Sequence, residues 1–490
     1  MADRPNILIF MTDQERADVV APGHPCMTPN TDRLAADGIR FTQTYCPSPH
    51  CCPSRATFMS GLYPSRHGIF NNIKTRTAIN TGLKEDVVLF SEQLQAAGYR
   101  NVLCGKWHVS GDEDPKDRGW EERAVTGAGA TFHSRTIDDW RQGPRGQDSS
   151  GGERPRGHVQ RPGWGDFTVY KTLPDGGPKG YENDNDYTVL QAALAALPEL
   201  AAGDEPWCLF VGHIGPHDPF NVPEKFVQMY DPATISLPES YRDTLEDKPR
   251  IYQRHRRQLW DQLSEDEVRE SIAHYYAYCT MEDTMFGEVL DALDATGQAD
   301  NTLVIFLSDH GDYCGDHGLY LKGIPAFREA YHVPCIMRWP QGITQPDREV
   351  DAFVSLADFA PTFLELAGVD DPHYRTGKSL VPFLRGEAPD QWRDAQYTQC
   401  NGVELYYTQR SVTTNEFKYV YNGFDFDELY DLRHDPHEMI NVADHPDYQD
   451  AKQRLVRKMW QFAAQEDDII FNPYGTVALA PWGPADGLAG

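Results

Sequence analysis

Residues 301–312 read NTLVIFLSDHGD. An unbroken apolar run, Leu303–Leu307, fits a strand buried on both faces, and it stops abruptly in a burst of polar groups. The same grammar recurs in NILIFMTDQ (6–14), NVLCGKWH (101–108) and WCLFVGHIGPHDPF (207–220). Between these runs lie helical candidates: SEQLQAAGY (91–99), DYTVLQAALAALPEL (186–200) and the segment around YAYCTMEDTMFGEVLDAL (276–293). The alternation predicts an α/β fold with a mostly parallel central sheet flanked by helices. Ligands of open α/β sheets gather outside the carboxyl ends of the strands. All four polar bursts sit at that end, so they are expected to converge on one site.

At 490 residues the chain can bury a large core. Its texture changes after about residue 370. AQYTQCNGVELYYTQRSVTTNEFKYVYN (395–422) alternates as antiparallel strands do, and HPDYQD (445–450) leads into a final helix. We therefore expect a catalytic α/β domain over 1–370 and a smaller C-terminal α+β subdomain over 371–490. The segment 124–180 is rich in Gly, Pro, Ser and Arg, with six arginines from Arg135 to Arg161. It reads either as a flexible linker or as a loop folding over the site to help bind an anion.

A net charge of −29 argues against nucleic acid or an anionic membrane as partner. The MADRP leader and the short run after it lack the form of a secretory signal, and no stretch approaches the roughly 18 apolar residues of a membrane span. Ten cysteines without a paired CxxC framework indicate neither a disulfide scaffold nor structural zinc. A soluble, cytoplasmic protein is expected. Cys46, Cys104, Cys208 and Cys335 read as small core residues.

Asp13 lies just past the first strand, and Asp309 and His310 just past the last. Each alone reads as a capping residue at a strand-to-loop junction. Together they suit a divalent cation, with Gln14 adding a neutral oxygen. Oxygen-rich ligation favours calcium, manganese or magnesium over zinc. The stretch SPHCCPSRATFMSGLYPSRHG (48–68) sets two adjacent cysteines before Pro-Ser-Arg. Pro53 is tolerated in a helix's first turn, so the thiol position falls at a helix N-terminus, where backbone donors and the dipole favour negative charge. Arg55 adds fixed positive charge. Such a position suits a nucleophile attacking an oxyanion ester, although a thiol is an odd partner for a hard cation.

Cys51-Cys52-Pro53-Ser54-Arg55, followed by Met59-Ser60-Gly61-Leu62, resembles the signature of the formylglycine-dependent (type I) sulfatases of the alkaline phosphatase superfamily. In that family the first cysteine of C-x-P-S-R is oxidised to an aldehyde whose hydrate is an oxygen nucleophile. Cys51 is then the converted residue, Cys52 only the tolerated x, and a formylglycine-generating enzyme the transient partner. The resemblance continues in family order along the chain. It implies metal ligation by Asp13, Gln14, Asp309, His310 and the Cys51 position, roles for Lys106 and His108 in GKWH and His217 in GPHDPF, and a substrate-binding Lys322 after SDHGDYCGDHGLYLKG. ELYDLRHDPHEMINVAD (428–444) resembles the family's C-terminal tail.

The resemblance implies an alkaline-phosphatase-like sheet and hydrolysis of an organic sulfate monoester, of a small molecule or a sugar, to alcohol and sulfate. Arg55, Lys106 and Lys322 would clamp the sulfuryl oxygens, His217 with Lys322 would neutralise the leaving alkoxide, and His108 would take a proton from the remaining hydroxyl. Many sulfatases carry aspartate where this chain has Gln14 and asparagine where it has His310. The combination found here is also similar to phosphonate monoester hydrolases and phosphodiesterases of the superfamily, which is the alternative function. Asn72 reads either as a turn residue or as a hydrogen-bond partner of substrate. His317 reads either as a residue backing the site residues or as structural, and the arginines of RIYQRHRRQLW (250–260) as a solvated helix face or a contact for substrate or for a second subunit, a homo-oligomer being left open.

Overall fold

The computed structural model describes residues 4–73, 78–127, 154–161, 165–403, 405–475, 479 and 482–484. Eight strands build the main sheet: β1 (Asn6–Thr12), β2 (Ile39–Tyr45), β3 (Arg100–Lys106), β4 (Glu121–Thr126), β5 (Trp207–Gly212), β6 (Thr302–Ser308), β7 (Cys335–Arg338) and β8 (Arg348–Ser355). Their order is β8-β2-β7-β6-β1-β5-β3-β4, and only β7 runs against the others. The four apolar runs are the four neighbours β6, β1, β5 and β3. Every residue of β1, β5 and β6 is buried, because helices cover both faces of a parallel sheet.

Register decides what meets at the carboxyl edge. Thr12 pairs with Ser308, so Asp13 and Asp309 leave the sheet side by side. Gly105 has φ 93°, and a Cβ there would lie 2.1 Å from the carbonyl oxygen of Gly212. Only glycine fits that close approach. The β3–β4 register shifts between Cys104 and Lys106 at the same point, leaving Lys106 to pair with Thr126.

The predicted helices span Phe90–Ala96, Asn185–Ala201 and Glu265–Ala295. The last starts earlier than its apolar periodicity suggests. Ser264 and Glu267 form a reciprocal cap, which fixes the start directly before an acidic first turn, Glu265–Glu267. The C-terminal residues form an antiparallel sheet of β9 (Gln396–Cys400), β10 (Gln409–Thr413), β11 (Phe417–Asn422) and β12 (Glu428–Asp431). The helix Gln449–Gln465 covers it, and Tyr397, Val412, Tyr419, Leu455, Met459 and Trp460 make a second apolar core.

In segment 124–180, Arg135, Arg141 and Arg145 fall outside the described residues. The described part carries a hairpin (His158–Arg161 with Gly165–Thr168) and a strand (Tyr170–Leu173) paired with Phe220–Pro223. Arg154 and Arg156 are engaged by Glu267 and Glu270 of the long helix, so these two arginines anchor the segment. In the 250–260 region Tyr252 is fully buried and donates to Glu428, so that helix is docked rather than solvated all round. His317 stacks on Phe327 at 3.5 Å with its Nδ1 2.7 Å from Asp243, a structural role as read.

Candidate active site

The helix Cys51–Ser60 is buried along its whole length, and His50 in extended conformation precedes it as N-cap. Pro53 lies in its first turn, and Gly61 closes it with φ 68°. Phe58 wedges this helix against Phe90 and Phe359, with ring centroids 5.9 and 5.2 Å away. The Ser54 hydroxyl donates to the Asp309 carbonyl, tying the first turn to the end of β6. The dipole end of a rigid helix therefore faces the carboxyl edge of the sheet.

Cys51 Sγ lies 3.2 Å from His310 Nε2 and 3.7 Å from Asp13 Oδ1. One ligand atom from each of Asp13, Cys51, Asp309 and His310 falls within 4.8 Å of the others. Arg55 reaches across the cluster: Nε donates to Asp309 Oδ2 at 2.6 Å, Nη2 to Asp13 Oδ2 at 3.2 Å and Nη1 to the Lys106 carbonyl at 3.0 Å. Lys106 Nζ donates to Asp13 Oδ2. Lys322 Nζ donates to Gln14 Oε1 and to His217 Nε2, the latter at 2.8 Å. His217 Nδ1 is 2.7 Å from the Asp218 carbonyl oxygen. That contact makes Nδ1 the protonated nitrogen and turns the Nε2 lone pair towards Lys322.

Burial pushes the Asp13 carboxyl up, but Lys106, His217, His310 and Arg55 outweigh it and hold the group well below the usual carboxylate range. Burial likewise pulls Lys106 down, and the charge of Asp13 more than restores it. His310 is lowered chiefly by burial, so its ring is neutral and able to ligate a metal. Asp312 is pushed up to about 7 by burial, with the Asp218 charge adding to the effect.

The structure thus brings Asp13, Gln14, Cys51, Arg55, Lys106, His217, Asp309, His310 and Lys322 into one connected cluster. Asn72 sits beside it in a supporting position: its side-chain oxygen accepts from the Cys52 backbone N–H at 3.1 Å, one of the orphan donors of the helix start. His108 follows Lys106 by two residues in a left-handed conformation, φ 53°. Two site residues escaped the sequence reading, Asp218 and Asp312, both of which accept from Gln14 Nε2. Their signal was a carboxylate beside a site residue within the same polar bursts: Asp218 directly follows His217 in GPHDPF, and Asp312 is the second acid of SDHGD. The sequence also gave no hint of Asp186. Its carboxylate accepts from Ile214 and Gly215 N–H, and the Gly215 carbonyl accepts from Asp13 N–H at 3.1 Å, which fixes the loop carrying His217.

Residues 5–369 match the family model described as sulfatase, and residues 315–465 match one described as the C-terminal part of N-sulphoglucosamine sulphohydrolase. An uncharacterized sulfatase, YidJ, of Escherichia coli (strain K12) is 29% identical over 496 residues, 98% of this chain and 90% of that protein. A choline-sulfatase of Rhizobium meliloti (strain 1021) is 30% identical over 459 residues, 90% of this chain and 83% of its own length. The crystal structure of the phosphonate monoester hydrolase of Agrobacterium radiobacter is similar with TM-score 0.75 and 25% identity, covering 94% of this chain and 96% of that one.

Proposed function

This chain belongs to the sulfatase family and is a sulfuric ester hydrolase; we propose that Cys51 carries its nucleophile beside a single calcium ion held by Asp13, Gln14, Asp309 and His310. The observation that carries this reading is the contact of Cys51 Sγ with both His310 Nε2 and Asp13 Oδ1, at 3.2 and 3.7 Å, at the first turn of a buried helix. The donor set suits the ion. Ligand atoms about 2.4 Å from one cation lie at most about 4.8 Å apart, and one ligand atom from each of Asp13, Cys51, Asp309 and His310 falls within that limit of the others. Oxygen donors outnumber the single imidazole, which favours calcium, with manganese or magnesium as alternatives.

A bound cation supplies the charge that lowers the pKa of a hydroxyl at position 51. A formylglycine-generating enzyme would supply that hydroxyl by converting Cys51 to an aldehyde, which hydrates. The chain's own groups do the rest. Arg55, Lys106 and Lys322 set three positive charges against Asp13, Asp218 and Asp309. With the cation added, the centre is positive, and at short range that attraction outweighs the repulsion of the chain's net charge of −29, whose more distant groups are screened. These three side chains bind the non-bridging oxygens of the sulfuryl group and stabilise the charge that develops there. The His217–Lys322 pair holds one proton between two nitrogens 2.8 Å apart and delivers it to the leaving alkoxide. His108 takes a proton from the second hydroxyl of position 51. Asn72 holds the helix start in place through Cys52 N–H. All ten cysteines are buried and unbridged, which supports a reducing, cytoplasmic location.

Gln14 and His310 favour a second reading, a phosphonate monoester hydrolase or phosphodiesterase with the same nucleophile, and the neighbour at TM-score 0.75 supports it. The deciding experiment compares kcat/KM on an aryl sulfate, an aryl phosphonate monoester and an aryl phosphodiester. The enzyme is co-produced with a formylglycine-generating enzyme and supplied with calcium or manganese. Faster sulfate cleavage is expected, after which choline sulfate and sugar sulfates are screened; preference for the phosphorus esters makes the second reading the assignment. Asp309→Ala is expected to weaken calcium binding by at least about 100-fold, since even outer partners of a metal site are worth about 10–100-fold. Unchanged calcium content in the purified variant would remove the ligand assignment.

A further inference from the structure

Gln14 is fully buried and holds a left-handed backbone, φ 70°. Its amide nitrogen donates to Asp218 Oδ1 at 3.1 Å and to Asp312 Oδ2, and its oxygen accepts from Lys322 Nζ. The partners leave no freedom in this orientation. The Asp218 carboxylate only accepts and the Lys322 ammonium only donates, so the amide nitrogen must face Asp218, beside Asp312, and its oxygen the lysine. Asp312 is itself fixed, because its Oδ1 accepts from Cys314 N–H at 2.6 Å and Leu321 N–H at 3.1 Å. One carboxyl group therefore ties the loop that ends in Lys322 to the amide of Gln14. Asp218 comes from another loop, lies 3.3 Å from His217 Nδ1 and 3.9 Å from Lys322 Nζ, and is 13% exposed.

We propose that Asp218 is a positioning residue which, together with Asp312, engages both N–H groups of Gln14 and so aims its oxygen at the cation site beside Asp13 and Asp309. The proposal rests on the reading of that cluster as a cation site. It gives a physical reason for a neutral ligand at position 14. A carboxylate there would meet the Asp218 carboxylate, which has nothing to donate, and like charges at this depth are costly. Without the acids only Lys322 holds the amide, and its N–H groups can turn towards the cation, which repels them. Asp218 thus acts on the metal through Gln14, as an outer partner of the site.

The test is calcium binding, measured calorimetrically on the chain produced without a formylglycine-generating enzyme, so that turnover plays no part. Wild type is expected to bind calcium, and Asp218→Asn to bind it about tenfold more weakly or worse. Gln14→Glu is expected to weaken binding too, although an added anionic oxygen would by itself strengthen it. The double variant Gln14→Glu/Asp218→Asn recovers affinity, because an asparagine at 218 donates to the new carboxylate; a merely structural role predicts additive losses. Tighter binding by Gln14→Glu overturns the proposal even if Asp218→Asn does not fold, and so does wild-type affinity in Asp218→Asn. A wild-type chain that binds no calcium overturns the cation reading itself, an outcome distinct from either.

Discussion

Cys51→Ala is expected to abolish turnover while leaving the fold intact. Loss of a covalent nucleophile typically removes four or more orders of magnitude in kcat, about 5 kcal/mol or more of transition-state stabilisation. Alanine fits the position without strain: Cys51 is a helical residue, 2% exposed, and its side chain shrinks by one sulfur. The melting temperature should stay near wild type, so the loss is chemical. Cys52→Ala is the internal control. Cys52 is fully buried in the apolar core, so its truncation costs about 1 kcal/mol of stability and leaves kcat near wild type. Assays of both variants on the same aryl sulfate, made with the same maturation partner, decide between the two sulfurs. Activity retained in Cys51→Ala removes the formylglycine proposal, and equal losses in both variants mean that the helix start, rather than one thiol, was disrupted.

Arg410→Ala is expected to produce the largest loss of stability. Arg410 and Asp468 are both without exposed side-chain surface and form a two-point pair, Nε to Oδ2 at 2.6 Å and Nη2 to Oδ1 at 2.7 Å. Asp468 also accepts from Tyr397 Oη at 2.8 Å and Gln399 Nε2 at 2.7 Å, so one carboxylate gathers β9, β10 and the end of the last helix. Burial pushes this carboxyl up, and Arg410 more than offsets that, holding it below its usual value. Removing the guanidinium strands a buried charge and costs about 3–5 kcal/mol.

The pH dependence has a definite sign. In the wild type the lowered Asp468 contributes stability above the unfolded carboxylate pKa, about 3.9, and loses it as pH falls through the folded value. In Arg410→Ala the largest influence, burial, is opposed only by the neutral hydrogen bonds from Tyr397, Gln399 and the Ile470 N–H, so the folded pKa is expected to rise above the unfolded one. The folded variant then binds the extra proton, and its stability drops as pH rises through that window. The loss of melting temperature relative to wild type should therefore be larger at pH 7 than at about pH 4.5. Equal losses at both would show that the pair's charge does not govern this core.

The centre of the sheet was legible because a strand buried on both faces must be continuously apolar. Leu303–Leu307 and its three counterparts state that directly, and they prove to be neighbours. The small antiparallel sheet was legible from alternation in residues 395–422. The hairpin within 154–168 was not, because its strands are four residues each and its anchors, Arg154 and Arg156, pair with acids more than a hundred residues away. Composition alone made them look like solvated linker charges.

The sequence by itself determined which residue types stand at the strand ends and which cysteine opens a helix, since strand, helix and cap signals act over a few residues. It therefore carried Asp13, Asp309, His310, Cys51 and Arg55 as a set. What only the tertiary structure decided is how the cluster is wired. The Thr12–Ser308 register sets two carboxylates side by side, the close approach at Gly105 lies just before Lys106, and Asp218 and Asp312 meet on one buried amide from residues 204 and 298 positions away from Gln14. A hydrogen bond has no reach along the chain, only through space, so no local pattern of residues encodes it.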